Sequence, residues 1–127
     1  MPASKNNNSI ADYDAILATA KFYVEGLKTG NVDQLKQTFH SDALMAGYMP
    51  DGQLTTKLQF LFDFTQENGP AAEVKAHVSV LHKEETAAVV LVELEDLQGG
   101  VGSTDYLSML LIDGEWKVLS KVFNLYW

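Results

Sequence analysis

The chain has 127 residues and a formal charge of −8, a length that fits one domain able to bury roughly two-thirds of its unfolded surface without staples. It contains no cysteine, which excludes disulfides, thiolate nucleophiles and cysteine-ligated metals and is compatible with a cytoplasmic location. The acidic balance disfavours nucleic acid and anionic membranes; because all nine basic residues are lysine, the chain also lacks the planar guanidinium fork that grips phosphate, so a neutral or weakly acidic ligand is expected.

Residues 1–9 are polar and asparagine-rich. No signal peptide or membrane anchor is expected there, and the segment reads as poorly ordered, leaving residues 10–127 as a single domain. Tyr13, Ile16, Leu17, Ala20, Val24 and Leu27 recur at three- and four-residue steps and predict a helix from about Asp12 to Thr29, which Gly30 ends. Asn31 is placed to cap a short second helix through Val32, Leu35 and Phe39. An extended run from Ala43 to Met49 follows, turned by Pro50-Asp51-Gly52. Thr55 or Thr56 is positioned to cap a third helix with Leu58, Leu61, Phe62 and Thr65 on one face and Phe60 and Phe64 on the other. A helix apolar on both sides has to be covered on both, so this one is expected to close an end of the core.

From Glu73 onward the apolar residues alternate with period two, first over Val74 to His82, then over Thr86 to Glu95. The last two runs, Thr104 to Ile112 and Glu115 to Leu125, flank Asp113-Gly114, the pair that suits a two-residue type I′ turn. With Ile112 facing Glu115, regular pairing sets Leu111 opposite Trp116, Met109 opposite Val118, Leu107 opposite Ser120 and Asp105 opposite Val122, all on one face. One carboxylate thus falls among core residues. The other face carries Tyr106 opposite Lys121, with Glu93 beside Tyr106, and the apolar Leu91, Leu110, Leu119 and Phe123. Helices first and an antiparallel meander after them specify an α+β domain, with three N-terminal helices on a curved, mainly antiparallel sheet.

This order of elements, with Phe39-His40-Ser41-Asp42-Ala43 between helix and strand and Asp113-Gly114-Glu115-Trp116-Lys117-Val118 in the last hairpin, resembles the NTF2-like superfamily, in which sheet and helices form a cone. Thr104 to Leu111, Trp116-Lys117-Val118 and Lys121-Val122-Phe123 are similar to its lumazine-binding and SnoaL-like branch. The resemblance implies a small apolar pocket for a planar or polycyclic molecule of lumazine or pterin type, and pairing of two copies through the outer sheet face. The wider superfamily includes ketosteroid isomerases, scytalone dehydratase and polyketide cyclases, so a cofactor-independent isomerase, dehydratase or cyclase is an alternative, and a dimeric interaction module with a vestigial pocket is another.

Asp105 carries the chemistry in either pocket reading. On an apolar face its charged form is poorly solvated, which suits a general base or acid. Tyr23, Tyr48 and Tyr13 are the candidate hydrogen-bond donors to a developing enolate, with Asp105 and Tyr48 the candidate catalytic pair. The expected ligand-binding set is Tyr23, Tyr48, Phe62, Asp105, Leu107, Met109, Trp116 and Val118. No cofactor and no metal is expected. His77 and His82 are an odd number of residues apart on one strand and face opposite ways, while His40 lies in a connection, where it is expected to bond locally. His77 shares its face with Lys75 and Ser79, so it is read as outward.

Overall fold

The computed structural model describes residues 10–127, so the expectation for residues 1–9 lies outside the described residues. Helix α1 (Ile10–Thr29) and helix α2 (Val32–Thr38) lead into β1 (Phe39–Tyr48); the short β2 (Leu54–Thr55) and helix α3 (Gln59–Asn68) follow. The chain then runs through β3 (Lys75–Lys83), β4 (Ala87–Glu95), β5 (Gly102–Ile112) and β6 (Glu115–Tyr126). One six-stranded sheet results, in the order β2-β1-β6-β5-β4-β3. Among the described residues only the β1–β6 pair is parallel, which is possible because residues 49–114 lie between those two strands. No helix among the described residues is long and apolar enough to cross a membrane.

Local chemistry explains most of these boundaries. The Asn31 side chain accepts a hydrogen bond from the Gln34 N–H and caps α2. Gly30 adopts φ 68°, the left-handed conformation that closes α1. Asp113 and Gly114 both have positive φ, 51° and 81°, as the tight turn between β5 and β6 requires. The helix stripe is rotated relative to the expected one: Ile16, Ala20, Tyr23 and Leu27 are its buried residues, while Tyr13 is exposed. Neither Thr55 nor Thr56 caps α3. Thr55 pairs with Gly47 in β2, and the helix begins at a tight turn in which Phe60 N–H donates to the Lys57 carbonyl and Leu61 N–H to that of Leu58.

The largest departure from regular geometry lies in β6. Met109 pairs with Val118 and Leu111 with Trp116, as expected, but Ser108 then pairs with Ser120. Leu119 is therefore an extra residue, a bulge, and every position beyond it changes face. Leu107 is opposite Lys121 rather than Ser120, Asp105 is opposite Phe123 rather than Val122, and Tyr106 meets Val122 rather than Lys121. Lys121 and Phe123 are consequently buried, and Val122 is the exposed neighbour. On the next strand Tyr106 lies opposite Leu91, and Glu93 opposite Thr104. The expected three-strand ladder of acid, aromatic and lysine does not form.

Inward Phe123 depends on the residue beside it on β1. Gly47 is its partner across the parallel pair, and a Cβ added at Gly47 would stand 2.7 Å from three atoms of the Phe123 ring. A buried ring held on a strand has little room to retreat. Gly47→Ala is expected to cost about 1–3 kcal/mol through overpacking, read as a lower urea midpoint at unchanged slope. Combining it with Phe123→Leu should recover part of that loss, and strictly additive effects would show that the two sites are not coupled.

Candidate functional site

Past the bulge, β6 converges with α1 and the start of β5 at the open end of the sheet, where the helices leave a cavity of about 290 Å³. That is near the lower end of the ligand-pocket range, about 300–1,000 Å³. Its wall is apolar over most of its extent, with Leu27 from α1, Met45 from β1, Phe60 and Phe64 from α3, and Leu94 from β4 among the residues lining it. Four polar side chains, Tyr23, Ser103, Asp105 and Lys121, cluster together in it, and Thr65 and Gln98 also line the wall.

Asp105 is fully buried. Its Oδ2 accepts a hydrogen bond from the Tyr23 hydroxyl at 2.6 Å and its Oδ1 one from the Ser103 hydroxyl at 2.6 Å, both at the short distances typical of a charged acceptor. Tyr23 reaches the acid because it lies on the buried stripe of α1, and its ring is held edge-on by Phe39, with centroids 5.9 Å apart. Ser103 and Asp105 share a face of β5 two residues apart, which is the spacing that lets one hydroxyl meet the other's carboxylate. Lys121 Nζ is 3.8 Å from Asp105 Oδ2, and it lies 5.2 Å from the centre of the Tyr23 ring and 5.4 Å from that of Phe123. These are cation–π distances. Burial holds the Tyr23 hydroxyl well above its ordinary range, reinforced by the negative charge of Asp105 and the bond to it, so Tyr23 stays a donor at neutral pH. Burial pushes the Lys121 ammonium down, against the opposing pull of Asp105.

Of the residues expected from sequence, Tyr23 and Asp105 line this cavity. Leu107, Met109, Trp116 and Val118 are buried core side chains beneath the helices and do not line it. Phe62 packs edge-on against Phe39 at 6.4 Å, under the Lys36 ammonium. Tyr48 is 64% exposed and outside the cavity. Tyr13 is also outside it, beside the buried Lys83. His40 Nδ1 accepts from the Asp42 N–H, as a local bond was expected to do, while His82 is 3.3 Å from Glu84 and His77 is exposed opposite Glu93. Sequence reasoning missed Lys121 and Ser103. For Lys121 the available signal was the cost of the regular register, which leaves Phe123 outward and brings Ser120 into an apolar row.

The two perturbed groups give opposite pH dependences. The folded pKa of Lys121 lies below its ordinary 10.5. Between those two values the unfolded chain holds a proton that the folded chain does not, so stability rises with pH, by at most about 1.4 kcal/mol per pH unit for one group. Tyr23 is raised above 10.0, so beyond that pH the unfolded chain loses a proton that the folded chain keeps, and stability falls. Urea unfolding followed from neutral to alkaline pH should show the rise flattened in Lys121→Met and the later fall flattened in Tyr23→Phe. Unchanged slopes would mean that these groups titrate alike in both states.

A family model described as "Putative lumazine-binding" matches residues 11–124. A curated relative, "Aldolase FrzH" from Cladobotryum sp, is 37% identical over 117 residues, covering 91% of this chain and 93% of that protein. Among solved structures, an NTF2-like protein of unknown function from Shewanella baltica OS155 is 30% identical with a TM-score of 0.84, covering 94% of this chain and 98% of that one. Another, from Methylobacillus flagellatus KT, is 28% identical with a TM-score of 0.88, covering 95% and 97%. The chain belongs to the family described as lumazine-binding, with the NTF2-like fold.

Proposed function

We propose that the cavity binds a small, largely apolar carbonyl compound and that Asp105 removes a proton from the carbon next to the carbonyl, the step common to isomerisation, dehydration and aldol-type bond formation. The observation that carries this reading is a fully buried carboxylate within a cluster of polar side chains in the wall of a mainly apolar cavity. Such a wall selects a ligand with an apolar body and one polar end. Tyr23 and Ser103 fix the carboxylate, each using one lone pair of a different oxygen and leaving others to face a substrate. Lys121 brings positive charge to where the carbonyl oxygen gains negative charge. Similarity to a protein named as an aldolase favours this class of reaction. Tyr48, outside the cavity wall, has no part in it.

A second reading is binding of lumazine or a pterin without turnover, favoured by the family's description. The two separate in one experiment. Incubated with phenylacetone in D₂O, the protein should exchange the ketone's α-protons faster than buffer does, by proton NMR, and Asp105→Asn should lose about 10²–10⁴-fold of that rate. Exchange at the buffer rate, together with saturable binding of 6,7-dimethyllumazine, would replace catalysis with binding.

Pairing of two copies through the outer sheet face is part of the same proposal. Val89, Tyr106, Leu110 and Val122 are each at least 40% exposed there, and they lie on the adjoining strands β4, β5 and β6, so they form one apolar patch of a kind that monomers seldom leave wet. Light scattering at micromolar concentration should return twice the chain mass, falling to the monomer in Val122→Lys. A monomer mass for the unaltered chain would reject the pairing.

A further inference from the structure

We infer that Lys121 is a covalent catalytic residue: its Nζ, in the cavity wall beside Asp105, condenses with the carbonyl carbon of the bound substrate to form an iminium ion. The inference rests on the carbonyl reading above and gives Lys121 a covalent role in place of a purely electrostatic one.

Geometry separates this lysine from one that only balances a buried acid. A lysine serving Asp105 alone would sit at the 2.7–2.9 Å of a charge-assisted hydrogen bond (about that range for N⁺–H to O⁻). Instead Asp105 has its two oxygens bonded at 2.6 Å by Tyr23 and Ser103, and Lys121 Nζ stands back at 3.8 Å, above the faces of Tyr23 and Phe123. The amine is thus buried, lines the cavity and, among the described residues, has Asp105 as its one ion-pair partner. Desolvation lowers its proton affinity, which raises the share of free amine, the form that attacks a carbonyl; a lysine in an apolar pocket is a recognised nucleophile for Schiff-base chemistry.

The step balances as follows. The lone pair of neutral Nζ forms a bond to the carbonyl carbon, and the C=O π pair moves to oxygen, which takes a proton to give a carbinolamine. Protonation of that hydroxyl lets water leave as the nitrogen lone pair forms the C=N bond. Overall, R–NH₃⁺ and R′₂C=O give R–NH⁺=CR′₂ and H₂O. Asp105, 3.8 Å from Nζ, is placed to accept and return these protons. It then takes the α-proton, the C–H pair becomes the C=C of an enamine, and the C=N π pair returns to nitrogen. The enamine C=C pair can form a C–C bond to the carbonyl carbon of a second, aldehyde substrate as the nitrogen lone pair restores the iminium and the aldehyde C=O π pair moves to oxygen, which takes the proton held by Asp105; water then hydrolyses the iminium to release the β-hydroxy carbonyl product and free lysine. The reverse sequence cleaves the bond.

Reductive trapping tests this on the full chain. Phenylacetone with sodium cyanoborohydride should add one ketone, less its oxygen, to the intact mass, and peptide mapping should place it on Lys121 in preference to the other eight of the nine lysines. Lys121→Met, with its fold checked by circular dichroism, should lose both the adduct and the α-proton exchange. Exchange that persists in Lys121→Met, or exchange by the unaltered chain with Lys121 untouched or labelled no more than exposed lysines, overturns the covalent step while leaving Asp105 as base. Neither exchange nor labelling rejects both. If Lys121→Met does not fold, mapping of the unaltered chain decides.

Discussion

The site is built on one irregularity in strand pairing, the extra residue Leu119 in β6. Side chains on a strand alternate strictly, so a single inserted residue exchanges the inward and outward sets for the rest of the strand. Before the bulge, β6 presents Trp116 and Val118 to the core; after it, Lys121 and Phe123. A regular strand would have put Val122 opposite Asp105 and left the lysine on the outer face. The bulge instead places cation and carboxylate in one cavity wall. Gly47 belongs to the same arrangement, because the turned-in Phe123 ring occupies the space in which any side chain at that position would have to stand.

Burying an acid and a lysine together costs solvation energy that their attraction rarely returns in full. Here the acid is the better satisfied of the two, with two short hydrogen bonds from hydroxyl groups that are themselves buried or pinned by packing. The lysine has a more distant carboxylate and two aromatic faces. This asymmetry is the reverse of what stability alone would select, since a shorter ion pair would better offset the desolvation of the ammonium. The surrounding core of Ile16, Ala20, Leu27, Leu107, Met109 and Val118 bears the stability, and a less favourable cluster can persist at the cavity because that core holds its framework in place.

What could be read in advance follows from how local each signal is. The Asn31 cap, the Asp113-Gly114 turn and the period-two runs of β4 and β5 depend on residues close in sequence, and all appear in the structure. Asp105 stood out because a charge in an apolar row is conspicuous whichever partner it meets. The bulge at Leu119 carries a much fainter mark: Leu119-Ser120 contains neither glycine nor proline, and the one hint is that the regular register turns Phe123 outward and sets Ser120 in an apolar row. Its choice is made by tertiary terms, the open space at Gly47 and the carboxylate waiting opposite. The full lining of the cavity was illegible for the same reason, although Tyr23 and Asp105 in it were expected. Leu27, Met45, Phe64 and Leu94 lie on four different elements, and no periodicity within one element records their convergence.

The division of the cavity into an apolar body and one charged end also bears on how it discriminates. An apolar wall distinguishes ligands weakly, since one methylene gained or lost changes binding by only about 1–3 kcal/mol. The charged end is far stricter, because an apolar group set against Lys121 and Asp105 desolvates both while meeting none of their remaining hydrogen-bonding capacity. Phe60 and Phe64, stacked with ring centroids 6.1 Å apart on α3, line the apolar wall on the helix side and tolerate variation in ring size more readily than Tyr23, Ser103 and Lys121 tolerate loss of a ligand's polar group. The cavity is thus divided between elements: α3 shapes its apolar wall, while β5, β6 and the residue that interrupts their pairing set its charged end.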